Sequence, residues 1–193
     1  EYELFSLVEI GPGEGTLSRD LIVAISEIAP SLIGNIELVL VELNEGMKQR
    51  QEKVVNNLEG INCRWCHIED LIIRPVTGVV IANEVLDAFP VERLVFSGNK
   101  VFRQGVSLNK INNEYVLEFV DLKPTSAIMK FLENSKSILN IEFPPNDICD
   151  RWITEWHCDM PIWFAKLSKV LINGSLLVVD YAMESRRYYN ANR

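Results

Sequence analysis

Apolar residues fall along this chain in two alternating rhythms. Short continuous runs occupy Leu4 to Ile10, Ile36 to Val41, Ile61 to Ile68, Thr77 to Ala82 and Ser175 to Val179. The first ends on glycines and is too short for a packed helix, so it predicts a buried strand, and the others read the same way. Between the runs the spacing changes. Leu17, Leu21, Ala24, Ile25 and Ile28 recur at helical intervals, with Asp20 and Glu27 on the polar side. Met47, Gln51, Val54, Val55 and Leu58 form the inner stripe of a second helix. Ile162, Phe164 or Ala165, Leu167, Val170 and Leu171 mark a later one. Strands alternating with helices predict an α/β fold built on a parallel sheet.

Stop and start signals support this division. Asn44 is placed to cap the second helix and Gly60 to close it. Asp159 is placed to cap the later helix, with Pro161 in its first turn and Asn173-Gly174 at its end. The pattern changes after Pro90. Residues 93–122 alternate apolar and polar, with a Gly98-Asn99 hairpin signal and a polar turn over 109–113. A helical pattern over 124–139 follows, broken by Phe143-Pro144-Pro145-Asn146. Arg151 to His157 fits an extended segment or a short helix equally well. The expected organisation is residues 1–92 as the first part of the core, 93–158 as an inserted β-meander with helices, and 159–193 as the second part of the core.

Chemistry enters at the strand ends. The first run leads into Glu9-Ile10-Gly11-Pro12-Gly13-Glu14-Gly15. A dinucleotide fingerprint would need glycine or alanine at position 16, where this chain has Thr16. The spacing G-x-G-x-G, with an acid two residues before it, resembles the first motif of S-adenosylmethionine-dependent methyltransferases. There the glycines Gly11, Gly13 and Gly15 would admit the methionine part of the cofactor, and Glu9 would face its amino group. A plain tight turn between strand and helix is the competing reading. Glu42 stands at the tip of the second strand, where a carboxylate can accept from both hydroxyls of a ribose at once. Glu69 and Asp70 follow the third strand, where the resemblance to such methyltransferases implies an acid at the adenine amino group, Asp70 first and Glu69 second, against a solvated loop acid. Asn83, Glu84 and Asp87 follow the fourth strand, where ligands bind at the switch point of an open α/β sheet. They could equally start a helix, with Asn83 as its cap. Asp180 and Tyr181 lie at the tip of the last strand.

Composition narrows the partners. Of the 193 residues, 48% are apolar, enough for a packed core. The formal net charge of −8 is a poor match for a phosphate backbone, so nucleic acid is not expected. No apolar run approaches the ~18–20 residues that span a bilayer, and no signal peptide is visible. The chain opens directly on a strand and stops in a polar stretch, which reads as part of a longer protein. Cys63, Cys66, Cys149 and Cys158 read as small buried thiols. A zinc site is not expected, because Cys63 and Cys66 fall on opposite faces of a strand and no second C-x-x-C exists.

Four blocks together carry a family resemblance: V-E-I-G-P-G-E-G-T-L (8–17), V-E-L-N (41–44), A-N-E-V-L-D-A-F-P-V (82–91) and L-L-V-V-D-Y-A (176–182). They resemble the MidA family, whose mitochondrial members assist assembly of respiratory complex I. The tail over 187–193 is similar to that family's E-Y-Y-x-x-x-R run, with Arg187 where the family has glutamate and Ala182 where it has glycine. The resemblance implies a Rossmann-like class I methyltransferase sheet with helices on both faces. It implies S-adenosyl-L-methionine as cofactor, with Glu9, Gly11, Gly13, Gly15, Glu42 and Asp70 around it. It also implies a protein substrate, a respiratory complex subunit methylated on arginine. Glu84 and Asp87 would then hold the guanidinium and Asn83 would orient it. The expected location is the cytoplasm, or the mitochondrial matrix in a eukaryote. A cofactor-binding assembly chaperone and a small-molecule methyltransferase are the alternatives; Thr16 disfavours a dehydrogenase. Oligomeric state is not legible.

Overall fold

The computed structural model describes residues 4–146, 148 and 150–192. In chain order the elements are β1 (Phe5–Ile10), α1 (Thr16–Ile28), β2 (Ile36–Val41), α2 (Glu45–Val55), β3 (Asn62–Cys66), α3 (Ile68–Ile73), β4 (Val76–Asn83), β5 (Glu92–Ser97), β6 (Lys100–Ile111), β7 (Glu114–Leu122), α4 (Ser126–Leu139), β8 (Arg151–Trp156), α5 (Met160–Leu167), β9 (Leu171–Val179) and α6 (Ser185–Tyr188). They form two units. One takes the residues up to Phe89 with Asp159–Tyr181; the other takes Pro90–Cys158 and the residues from Ala182 on.

The first unit is an α/β sheet in the order β3-β2-β1-β4-β9, parallel throughout. Side chains alternate between two apolar layers. Leu7, Leu38, Leu40 and Ile81 face Leu17, Leu21 and Ile22 of α1 and Val54 and Val55 of α2. Val8, Val39, Val41 and Val80 face Leu71 of α3 and Leu167 of α5. Burial on both faces explains why β1, β2 and β4 read as unbroken apolar runs, whereas Leu176, Leu177 and Val179 of the edge strand β9 are exposed. Each such side chain stabilises the unit by about 1.5–3 kcal/mol. Cys63 packs in the first layer and Cys66 in the second, as an offset of three along a strand requires. The strand order reverses between β1 and β4, the switch point where ligands enter such sheets.

Local chemistry sets several boundaries. Asn44 Oδ1 accepts from the N–H groups of Gly46 and Met47, at 2.9 and 3.1 Å, a cap worth about 1 kcal/mol. The helix it opens ends at Val55, before Gly60. The third strand stops at Cys66, and Ile68 begins a helix instead of closing the strand. Glu69 and Asp70 therefore lie in the first turn of α3, not in a loop. Ile68, Leu71 and Ile72 are spaced for a helix and pack into the second layer. Residues 84–90 form a turn rather than a helix, so Asn83 caps nothing. Asp159 sits at the start of α5 without a side-chain capping bond. Asn173-Gly174 does not end that helix but runs inside β9. Gly174 lies opposite Gly78, where a Cβ on residue 174 would fall 1.7 Å from the Gly78 carbonyl oxygen. Only glycine allows this approach.

The second unit is antiparallel, in the order β7-β6-β5-β8. The β5–β6 turn falls at Gly98-Asn99 as its sequence predicts. Strand β6 is continuous to Ile111, and its turn narrows to Asn112-Asn113, both with positive φ. Arg151–Trp156 is a strand, which decides between the two readings of that segment. Helix α4, capped by Thr125, buries Ile128 and Ser135 and packs Phe131 and Leu132 against Leu94, Phe96 and Trp152. The expected second part of the core, 159–193, is divided: residues from Ala182 on belong to the second unit, where Trp152 Nε1 donates to the Asn190 carbonyl. Cys149 and the tail's Arg193 lie outside the described residues. Among the described residues no helix is long and apolar enough to cross a membrane.

Candidate cofactor and active site

The carboxyl ends of the five parallel strands share one edge, and the glycine turn, Glu42, Asn83 and Asp180 lie there. Backbone hydrogen bonds tie down the glycine turn, joined by Gln51 Nε2, which donates to the Gly13 carbonyl at 2.8 Å. Gly11 N–H donates to the Val41 carbonyl at 3.2 Å, holding the turn against β2, and Gly15 N–H donates to the Pro12 carbonyl at 2.8 Å. Gly11, Gly13 and Gly15 have φ of 64°, 52° and 82°. At Gly13 a Cβ would meet no atom within 4 Å. Its glycine is therefore required by conformation and leaves open space in front of the backbone. Helix α1 begins at this turn with no side-chain cap, which suits an approach by a ligand.

Glu9 does not face that space. It is 5% exposed and accepts from the Ser18 hydroxyl in α1. Burial pushes its carboxyl above the usual range, and the Ser18 hydroxyl and N–H only partly offset this. A carboxyl raised in the folded state contributes stability that is complete below its unfolded pKa and is lost as pH rises through the folded value. Thermal melts of the wild type should therefore lose stability above about pH 4 relative to Glu9→Gln, with the gap widening toward neutral pH. A gap that does not change with pH contradicts a raised Glu9.

Glu42, at the tip of β2, is turned toward its own loop. Its Oε1 accepts from the N–H groups of Leu43 and Asn44, both at 2.8 Å. Its Oε2 accepts from Gln51 Nε2 at 2.9 Å. Glu42 and Asp70 line one cavity of about 160 Å³, with Asn44, Lys48 and His67. Asp70 caps α3 by accepting from His67 N–H at 2.9 Å. Glu69 instead pairs with Lys166 of α5 at 2.8 Å, which holds its carboxyl below the usual range.

Asn83, Glu84 and Asp87 are exposed at the end of β4. Glu84 takes a left-handed conformation, φ 51°, and its N–H donates to the Val179 carbonyl at 2.8 Å. The loop after it is organised by Asp180. One carboxylate oxygen accepts from Leu86 N–H at 2.8 Å and Asp87 N–H at 3.4 Å, and the other from Tyr181 N–H at 2.8 Å. Burial works against this charge, but the backbone donors of Leu86, Tyr181, Asp87 and Val85 outweigh it and hold the carboxyl below its ordinary value. Two functional features were hidden in the sequence: the role of Asp180 as a clamp, and Gln51, whose one signal was a polar residue in an apolar stripe.

The family model described as "Putative S-adenosyl-L-methionine-dependent methyltransferase" matches residues 1–193. The chain belongs to this family. Two solved structures of COG1565 superfamily proteins from Burkholderia thailandensis are similar to it. One, bound to S-adenosyl-homocysteine, is 25% identical with a TM-score of 0.75; 98% of this chain covers 45% of that one. The other, a native structure, is 25% identical with a TM-score of 0.73, and 98% of this chain covers 46% of it. The chain thus spans less than half the length of these relatives. No curated protein matches it. The fold of this methyltransferase family is the parallel sheet described above, and its cofactor is S-adenosyl-L-methionine. The turn fits that group: Gly13 leaves its backbone open where a side chain would fill the space.

Proposed function

We propose that the chain is the cofactor-binding part of a MidA-type protein arginine methyltransferase acting on a respiratory complex subunit, in the cytoplasm or the mitochondrial matrix. The observation that carries this reading is the exposed group Asn83, Glu84 and Asp87 at the carboxyl end of β4, where Val179 accepts from Glu84 N–H and Asp180 from Asp87 N–H. S-adenosyl-L-methionine, when bound, supplies an electrophilic methyl group on a sulfonium. The chain's own residues bind and orient. Gly11, Gly13 and Gly15 admit the cofactor to bare backbone, Glu42 takes the ribose, and Asp70 takes the adenine amino group from the shared cavity. Glu9 holds the turn from beneath through Ser18, rather than touching the cofactor. A guanidinium is a planar, permanently charged donor, so paired carboxylates suit it. Glu84 and Asp87 bind it and steer one nitrogen, and Asn83 orients them.

The test replaces Glu84 by Gln and Asp87 by Asn together in the intact protein. Labelled methyl transfer into total cell protein, followed by mass spectrometry, should fall on the order of a hundredfold, while S-adenosylhomocysteine binds unchanged. Undiminished transfer removes both carboxylates from the mechanism, and label outside arginine removes the acceptor class.

One observation favours a second reading, a binding module that assists assembly. On one face of the β6–β7 hairpin, Val106 pairs with Phe119, Leu108 with Leu117 and Lys110 with Tyr115. The five apolar members are each at least 60% exposed. A contiguous apolar ladder of this kind is a protein-interaction surface. Partner retention with no methyl transfer would favour this second reading.

A further inference from the structure

Gln51 is the polar member of the inner stripe of α2, and it is fully buried. Three of the four hydrogen-bonding positions of its carboxamide are filled. Nε2 donates to the Gly13 carbonyl at 2.8 Å and to Glu42 Oε2 at 2.9 Å. Oε1 accepts from Trp65 Nε1 at 2.9 Å. An indole N–H can only donate, and a carbonyl and a carboxylate can only accept. Turning the amide over would set donor against donor once and acceptor against acceptor twice. The chemistry of its three partners therefore dictates its orientation. One side chain ties together the glycine turn, the tip of β2 and strand β3.

The consequence falls on Glu42. A carboxylate offers about four lone-pair sites. Leu43 and Asn44 fill those of Oε1, and Gln51 fills one of Oε2. A single site remains. We propose that Gln51 is a positioning residue that limits Glu42 to accepting one ribose hydroxyl of the cofactor, not both, and fixes which one. This rests on the reading that Glu42 faces the ribose. It departs from the expectation that the carboxylate accepts from both hydroxyls.

The experiment is isothermal titration of the intact protein with S-adenosylhomocysteine and with its 2′-deoxy and 3′-deoxy analogues. In the wild type, one analogue should bind about tenfold or more weakly, as loss of a hydrogen bond to a charged group predicts. The other should stay within about threefold of the parent. Gln51→Leu frees the second site and the rotation of Glu42, so the preference between the two analogues should collapse. A purely structural role would weaken all three ligands by one factor and leave their ratio intact. Trp65→Phe is the second variant. It unties the amide oxygen without removing Gln51, and should blunt the same ratio if Gln51→Leu does not fold. Equal losses for both wild-type analogues overturn the proposal, as does a ratio unchanged in the variants. A wild type that does not bind S-adenosylhomocysteine sinks the cofactor reading and this inference together, whereas binding with an unaltered ratio sinks this inference alone.

Discussion

Gly13→Val is expected to weaken S-adenosylhomocysteine binding by about a hundredfold or more, equivalent to about 2.7 kcal/mol, while leaving the protein folded. Two effects must be separated. Gly13 has φ of 52°, so any side chain there pays a backbone cost of about 1–2 kcal/mol. The second effect is steric. No protein atom lies within 4 Å of the added Cβ, so the fold itself feels no clash. The isopropyl group instead occupies the space through which a ligand reaches the turn backbone, as the second glycine of such turns permits. Gly98→Val is a matched control. Gly98 has φ of 53° and equally open surroundings, but it lies in the β5–β6 hairpin of the second unit. The control should lower the melting temperature about as much as Gly13→Val and leave cofactor affinity alone. Equal affinity in wild type and Gly13→Val would show that the turn does not hold the cofactor.

The largest stability effect is expected at Trp152, where truncation to alanine should cost about 3–5 kcal/mol. Trp152 is 1% exposed and lies at the centre of the second unit's core. Its ring centroid is 5.6 Å from that of Phe96 and 6.2 Å from that of Phe143. Its Nε1 also donates to the Asn190 carbonyl at 2.9 Å, fastening the segment after α6 to β8. Alanine would leave a large cavity among rigid aromatic rings that cannot close over it. It would also leave that carbonyl without its donor. Trp152→Phe keeps most of the apolar bulk and isolates the lost N–H, so about 1–3 kcal/mol is expected from it. Urea unfolding followed by circular dichroism measures both. A Trp152→Ala cost near that of a surface substitution would show that the aromatic cluster is not what holds this unit.

Much of the first unit was legible because burial on both faces of a parallel sheet leaves an apolar signature in its inner strands β1, β2 and β4. Ile36–Val41 matches its predicted bounds for this reason. The Asn44 cap was legible because its function is local: the donors it satisfies are two and three residues away. The errors share a different cause. Ile68 looked like the end of a strand because one apolar residue is compatible with strand or helix. Asp70, reaching back to His67, turned the chain into α3. Asn173-Gly174 looked like a helix stop because its other meaning, close approach to Gly78, lies across the sheet.

The same division runs through the site. The sequence by itself determined that this protein has a parallel core, a glycine turn after the first strand and acids at the following strand ends. These follow from short-range spacing and from the alternation of buried elements. Only the tertiary structure decided what each acid does. Glu9 is beneath α1 because Ser18 is on the buried side of that helix. Asp180 clamps Leu86 although 94 residues separate them. Gln51 joins Gly13, Glu42 and Trp65 from three different elements. Hydrogen bonds between distant segments are set by how elements pack, and no local pattern of residues records them.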